Sequence, residues 1–527
     1  MNNGSEPNAK RLLWAGFFAI FAAGVGFSVR AGILGDWARD YGFTKTELGD
    51  ISGGGLWGFG LVIAAGCLLA DKIGYGILMG FAFLMHVLSF ALQLATPEVY
   101  ERFGSDGVKL SLTIAMVMFS IANGTCEVVV NPMVAALYPR EKTHYLNILH
   151  AGWPGGLIAG GLVSYFMNGG TIGDWAPLGK VHWMVQMSMF FIPTLIYGSM
   201  VLGQHLPRSE ASQAGVDFGT MLAVFASPIL LLLLVIHALV GYVELGTDSW
   251  IGNITGSIMD DPARGLLLFV YTSGLMFTLR FFAGPIEHHL SPLGLLCISG
   301  IFGAIGLTLL GGAEGILMCV VAATVYALGK TFLWPTMLAV ASERFPKGGA
   351  IVIGAMGGAG MLSAGLLGVP GIGFKQDYNT SSELRANAPS AFERYAAEKE
   401  KTFLGVFRTK ALDGAKVGVL ELSRDISKLE EQAAKEESSA KKAKIAEEIK
   451  EKTLEQDKTI ERNKLKDWWE INEKYKEQDE KTILEARLHG GRKALELTAI
   501  VPATMAVLYL FLILYFKTQG GYKRLEI

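Results

Sequence analysis

Charge is scarce in this sequence. Of 527 residues, 18% are Asp, Glu, Lys or Arg, where a soluble chain carries nearer a quarter. The 46 Lys and Arg almost balance the 48 Asp and Glu, for a formal net charge of -2. There is therefore no basic footprint for nucleic acid. Cysteine is scarcer still. Cys67, Cys126, Cys297 and Cys319 are the four, each inside an apolar run, which excludes a disulfide framework and a zinc-ligand spacing. The chain also lacks a phosphate-cradling P-loop and a Gly-x-Ser-x-Gly nucleophile elbow. These absences argue against a soluble enzyme, a secreted scaffold and a nucleic-acid binder. No catalytic residue, metal or cofactor is expected, and any work done must draw on a gradient rather than on ATP.

What is present is apolar surface and glycine: 51% hydrophobic residues and 65 glycines. Gly is more frequent in membrane helices than in soluble ones. The charge that exists is concentrated. Of the 94 charged residues, 51 fall between Lys375 and Lys493. The remainder has membrane-grade composition. The sequence is two materials, a polytopic membrane body and one charged insertion.

A membrane helix needs about 20 predominantly apolar residues. Twelve windows meet that length, at roughly 12–34, 48–70, 76–96, 109–137, 146–168, 181–205, 226–250, 265–285, 293–312, 315–341, 350–371 and 494–517. We number these spans 1 to 12. The polar segment from Pro207 to Gly219 divides them six and six. The expected organisation is an N-terminal six-helix half (1–206), a cytoplasmic linker (207–225), helices 7–11 of a C-terminal half (226–373), a charged helical insertion (374–493), and helix 12 with a tail (494–527). Lys and Arg are more numerous in the short loops on the side of the N-terminus, which places both termini in the cytoplasm and the insertion on the other side. The expected location is the inner membrane of a bacterium.

Three motifs stand in the membrane body. After span 2 runs Gly66-Cys-Leu-Leu-Ala-Asp71-Lys72-Ile-Gly74, which resembles the G-x-L-a-D-r-x-G loop of the major facilitator superfamily. Asp71 is expected to cap the next helix, and the plain alternative is a tight loop with two solvated charges. In span 4, Asn123, Glu127 and Asn131 are four apart and share one helix face, followed by Pro132. A carboxyl at bilayer depth marks either a cavity or a polar clamp between helices. The string Glu127-x-x-x-Asn131-Pro132, Leu137-x-Pro139, Leu146-Asn147-x-x-His150 resembles the fucose–proton symporter family of sugar transporters. Leu279-Arg280-Phe281 with Gly284, Trp334-Pro335-Thr336, and the glycine-rich stretch from Gly354 to Gly368 resemble its C-terminal segments. One position departs: where that family carries an acidic residue in span 1, this chain has Ala31 beside Arg30.

The resemblance implies a major facilitator fold in which spans 1, 4, 7 and 10 line a central cavity. Those spans hold ionisable residues here: Arg30, Glu127, Glu244 with Asp248, and Lys330. An uncompensated charge at mid-bilayer costs at least ~2.5 kcal/mol, so these are expected to converge on one cavity. The expected substrate-binding set is Arg30, Asn123, Glu127, Asn131, Glu244, Lys330 and Trp334, and Glu127, Glu244 and Asp248 are candidates for proton coupling. Asp248 could instead lie solvated at an interface beside Trp250. Trp334 could be interfacial packing, and His150 a satisfied core histidine. Glycines around Trp57 (Gly53, Gly54, Gly55, Gly58, Gly60) and in span 11 (Gly354, Gly357, Gly358, Gly360) are packing signals.

The expected function is secondary active transport, a proton-coupled symport of a sugar or similar small polar solute by alternating access. A small organic anion held by Arg30 and Lys330 is the competing substrate. A non-transporting receptor or scaffold acting through the insertion is the competing class. The insertion has helix-forming composition between Gln432 and Leu488, so a helical hairpin or short coiled coil is expected, with a break at Gly490-Gly491. Partner binding and a solvated spacer are equally open for it.

Overall fold

A computed structural model describes residues 8–41, 51, 58–168, 178, 181–397 and 400–526. Gly53, Gly54, Gly55 and Trp57 lie outside the described residues, as does much of the second window. Among the described residues the fold is all-α apart from one small hairpin. Nine helices among them are long and apolar enough to cross a membrane. Two compact units result. One holds the apolar body, residues up to Leu310, Glu314–Val369 and from Thr498 onward; the other holds Gly311–Ala313 and Pro370–Leu497.

Several spans of the body are interrupted, by a break or by a π turn. Span 1 is one helix, Ala9–Tyr41. Span 4 runs within Thr96–Leu137 and carries Pro132 inside it. Span 5 is split into Lys142–His150 and Gly152–Met167. Span 7 runs from Pro228 to Ile258 through a π turn, Tyr242–Gly246. Span 8 is Pro262–Arg280. Span 10 is two half-helices, Gly315–Lys330 and Leu333–Arg344. Span 11 has a second π turn at Ala364–Gly368. Single π turns concentrate at functional sites, and Glu244 sits in the one of span 7.

Glycine sets how closely these spans approach. Gly152, Gly156 and Gly160 repeat every four residues on span 5. A Cβ on any of them would run into the backbone oxygens of Phe17, Phe21 or Val25 on span 1. Without the hydrophobic effect to join helices in lipid, such small-residue stripes let backbones pack directly. The span 11 glycines do the same: Gly354 faces Cys67 and Gly358 faces Ala64.

The second unit has its own core of Leu384, Phe392, Tyr395, Val417, Leu420 and Ile483. Helices Gly414–Lys435 and Ser439–Arg462 form an antiparallel pair. Lys452 Nζ lies 2.8 Å from Asp425 and Gln456 Nε2 donates to Val419 O at 3.1 Å. Arg394 pairs with the buried Asp479 at 2.5 Å. Two features differ from the sequence reading. Lys401–Phe403 and Phe407–Thr409 form a two-stranded antiparallel hairpin, where only helix was expected; the segment is β-branched and aromatic over three residues, too short for periodicity to register. Gly490-Gly491 is not a break. The helix Lys476–Thr498 runs through it, because Gly490 packs against Thr380 and Gln376 where a Cβ would collide.

Candidate functional site

Arg280 is the centre of the body's polar interior, and two prolines put it there. Proline has no N–H, so Pro154 leaves the carbonyl of His150 without its helical partner, and Pro335 does the same to Thr331. Arg280, at the end of span 8 and 1% exposed, takes both. Its Nη1 donates to His150 O at 2.5 Å and its Nε to Thr331 O at 2.9 Å. The remaining edge of the fork, Nη2, donates to Glu244 Oε1 at 2.9 Å. One side chain thus ties spans 5, 7, 8 and 10 together. A planar guanidinium with donors in fixed directions suits three acceptors at once, which an ammonium does not.

Arg280 also lines a cavity between the spans. Glu127, His150, Glu244, Asp248 and Arg280 supply its polar wall. Phe27, Trp153, Phe269 and Trp334 supply aromatic faces. Glu127 Oε2 accepts from Asn131 Nδ2 at 2.5 Å. The same Asn131 presents Oδ1 to His150 Nε2 at 2.7 Å, and His150 Nε2 is 4.0 Å from Glu127. Glu127, Asn131 and His150 therefore form one small polar network with no lysine or arginine bonded to the carboxyl among the described residues. Asp248 grips Lys330 Nζ at 2.5 and 2.7 Å. Glu244 keeps Oε2 without a partner among the described residues.

The expected residues do not all converge. Glu127, Glu244, Asp248 and Trp334 are on the cavity wall, and Asn131 and Lys330 touch it through Glu127 and Asp248. Arg30 is not on the wall. It is buried in the N-terminal bundle, with Nη1 3.3 Å from Met116 Sδ and its guanidinium 5.3 Å from the Phe27 ring. Asn123 is not there either. Its Oδ1 is 3.0 Å from His86 Nε2, whose other nitrogen meets Tyr197 OH at 2.8 Å, so this end of the span 4 stripe clamps helices together. A stripe at i, i+4, i+8 spans just over two turns, and one cavity does not reach all of it. Glu244 and Asp248, both on the wall, each have their own cation, Arg280 and Lys330. His237, buried with both ring nitrogens unpartnered among the described residues, packs 4.6 Å from the Trp334 ring.

Sequence reasoning named Arg280 only within a motif string at the end of span 8 and left it out of the site. The signal was available in the two Trp-Pro pairs, 153–154 and 334–335, each of which frees a carbonyl four residues earlier.

A family model of the Major Facilitator Superfamily matches residues 16–368. The chain belongs to the Major Facilitator Superfamily. It is an integral membrane protein with that superfamily's transporter fold. No curated protein matches the sequence. Solved superfamily structures are similar at low identity. FucP, the E. coli fucose:proton symporter, in the outward conformation is 14% identical, with a TM-score of 0.57 over 71% of this chain and 92% of that one. The E. coli proton:xylose symporter XylE is 14% identical, with a TM-score of 0.59 over 73% and 91%. The human organic anion transporter TETRAN is 13% identical, with a TM-score of 0.53 over 70% and 93%.

In the loop after span 2, Asp71 does not cap the next helix as expected. Helix Tyr75–Leu94 has Gly74 at its N-cap and no side-chain cap. Asp71 instead accepts from Ser209 Oγ at 2.5 Å and from Ser209 N at 3.2 Å. Lys72 lies 4.1 Å over the Phe218 ring, and Gly66 packs against Val128. Gly74 ends the short helix Ala70–Ile73 at φ 96°, which a side chain would strain. Asp71 and Lys72 thus hold the polar linker, and Lys142 adds a 2.6 Å pair to Glu210. Asp71→Ala is expected to cost about 1–3 kcal/mol, the range for losing hydrogen bonds to a charged group. The check is thermal unfolding together with trypsin cleavage at Arg208, which should accelerate. Equal cleavage rates in the variant and the parent would remove Asp71 from this role.

Proposed function

We propose that this protein is a secondary transporter that couples proton movement to symport of a neutral, hydroxyl-bearing solute of sugar size, by rocking of two six-helix halves in a twelve-span body. The observation that carries this reading is the pairing pattern in the cavity. Among the described residues, the two cations that reach it are neutralised in place, Arg280 by Glu244 and Lys330 by Asp248. Glu127 is left over. With all three carboxyls ionised the group carries one net negative charge, and one proton on Glu127 makes it neutral. A site of this kind binds a neutral solute together with one proton at no net cost in charge.

The walls agree with a sugar. Trp and Phe faces pack against apolar sugar faces. Glu244 Oε2 and His150 offer hydrogen-bonding groups for hydroxyls. An anion would need a cation with spare valence on the wall. Arg30, the strongest sequence candidate for that role, faces Met116 instead. Convergence of ionisable groups on one cavity also favours transport over a receptor or scaffold role, which requires no such cavity. The excess of Lys and Arg in alternate loops supports cytoplasmic termini in a bacterial inner membrane.

Uptake into proteoliposomes, with panels of monosaccharides and of small carboxylates, with and without an inward proton gradient, tests the reading. The expected result is gradient-dependent accumulation of a neutral sugar. Accumulation confined to carboxylates would overturn the substrate assignment, and uptake indifferent to the gradient would overturn the coupling.

A further inference from the structure

The charged unit carries an apolar tip that its own core does not use. The hairpin Lys401–Phe403/Phe407–Thr409 ends in Leu404, Gly405 and Val406. Leu404 is 58% exposed, Val406 75% and Phe407 54%. Leu404 holds a positive φ of 53°, a conformation in which Gly or Asn is the ordinary choice. A bulky apolar residue is therefore displayed at the turn against local preference. In a unit otherwise rich in Lys and Glu, four large apolar residues in five positions are out of character.

Their location follows from the chain. Phe374 stacks on Phe403 at 5.8 Å and contacts Phe407 at 6.3 Å. Phe374 stands five residues after Val369, on the helix Val369–Asn387 that continues span 11. Five residues cover at most ~18 Å of chain, and about 7.5 Å in a helix. Chain connectivity alone limits how far Phe374, and the hairpin stacked on it, can lie from Val369, the last residue of the apolar body before the charged unit. Tyr378, one turn further and 51% exposed, stacks on Phe374 at 6.1 Å. Aromatic side chains concentrate at membrane–water interfaces. Residues 400–410 also hold three cations, Lys401, Arg408 and Lys410, against one acid, Glu400. An apolar tip flanked by basic residues matches the boundary between acyl chains and anionic headgroups.

We propose that the 403–407 hairpin is a membrane anchor, its Leu404, Val406 and Phe407 side chains seated in the headgroup–acyl boundary of the leaflet where span 11 ends. Seating there is expected at about 5–10 Å depth. It attaches the charged unit to the bilayer in addition to its covalent links to the body.

The test uses the full chain in vesicles of mixed zwitterionic and anionic phospholipid. Val406→Cys is labelled with an environment-sensitive fluorophore, and the parent chain carried through the same labelling serves as the blank for its four native cysteines. The expected result is blue-shifted emission, quenched by phospholipids spin-labelled at a shallow position and protected from aqueous iodide. Quenching by iodide as for free label would overturn the proposal, since the tip then lies in water. Protection from both quenchers would also overturn it, because the tip is then covered by protein. Adding Leu404→Ser and Phe407→Ser is expected to expose the label to iodide. Persistent lipid quenching in that variant would show that the fluorophore alone drives insertion, and would equally overturn it.

Discussion

Glu127→Gln is expected to leave solute exchange at equilibrium intact while abolishing accumulation driven by a pH gradient. If, as proposed, one proton is carried per neutral solute, a gradient of one pH unit supports about tenfold accumulation. The variant should fall to a ratio of about one. The physical reason lies in its contacts. Glu127 bonds Asn131, which in turn meets His150, and a glutamine oxygen can accept the same Asn131 proton. Geometry is kept while the proposed proton-binding group is lost. Arg30, which could have held Glu127 permanently ionised, is directed at Met116, so a salt bridge between the two does not compete. Counterflow of labelled solute, measured beside gradient-driven uptake in the same vesicles, separates the outcomes. Unchanged gradient-driven uptake would return Glu127 to a helix-clamping role.

Arg280→Met is expected to be the most damaging single change in the cavity. It leaves Glu244 buried without its cation and two proline-freed carbonyls without donors. Breaking a buried pair by removing one partner costs about 3–5 kcal/mol. Glu244→Met added to it removes the stranded charge, so stability should recover in large part while transport stays lost. Arg280→Lys should recover the charge but not the three directed bonds, and transport should remain impaired. Thermal unfolding in detergent of the three variants, beside solute exchange, checks this. A double variant as unstable as Arg280→Met would show that the carbonyls, not Glu244, account for the cost. An Arg280→Met protein of parental stability would remove Arg280 from its bridging position altogether.

Much of the site was legible in the residues because lipid penalises charge. Glu127, Glu244 and Asp248 stood out as ionisable groups inside apolar windows, and the cavity does contain them. The failures share one cause. Helical spacing tells which residues lie on one face, but not how far along that face a cavity extends. Asn123 and Arg30 lie on cavity spans and beyond the cavity. Arg280 lay at the end of an apolar window, where a cation needs no explanation, and only its approach to two freed carbonyls reveals its place.

By itself, the sequence determined the material and the class: the charge deficit requires a membrane body, the apolar runs require spanning helices, and the loop and span motifs point to the superfamily. Those properties follow from local composition, since a backbone in lipid has to satisfy its hydrogen bonds within each helix. Tertiary structure decided which cation meets which carboxylate, that Asp71 holds Ser209 rather than capping a helix, and that Gly490 is a packing surface rather than a break. Those outcomes depend on contacts between residues far apart in the chain, such as Arg280 with His150, 130 positions apart. No periodicity records a distance across a cavity; only the packing of several spans fixes it.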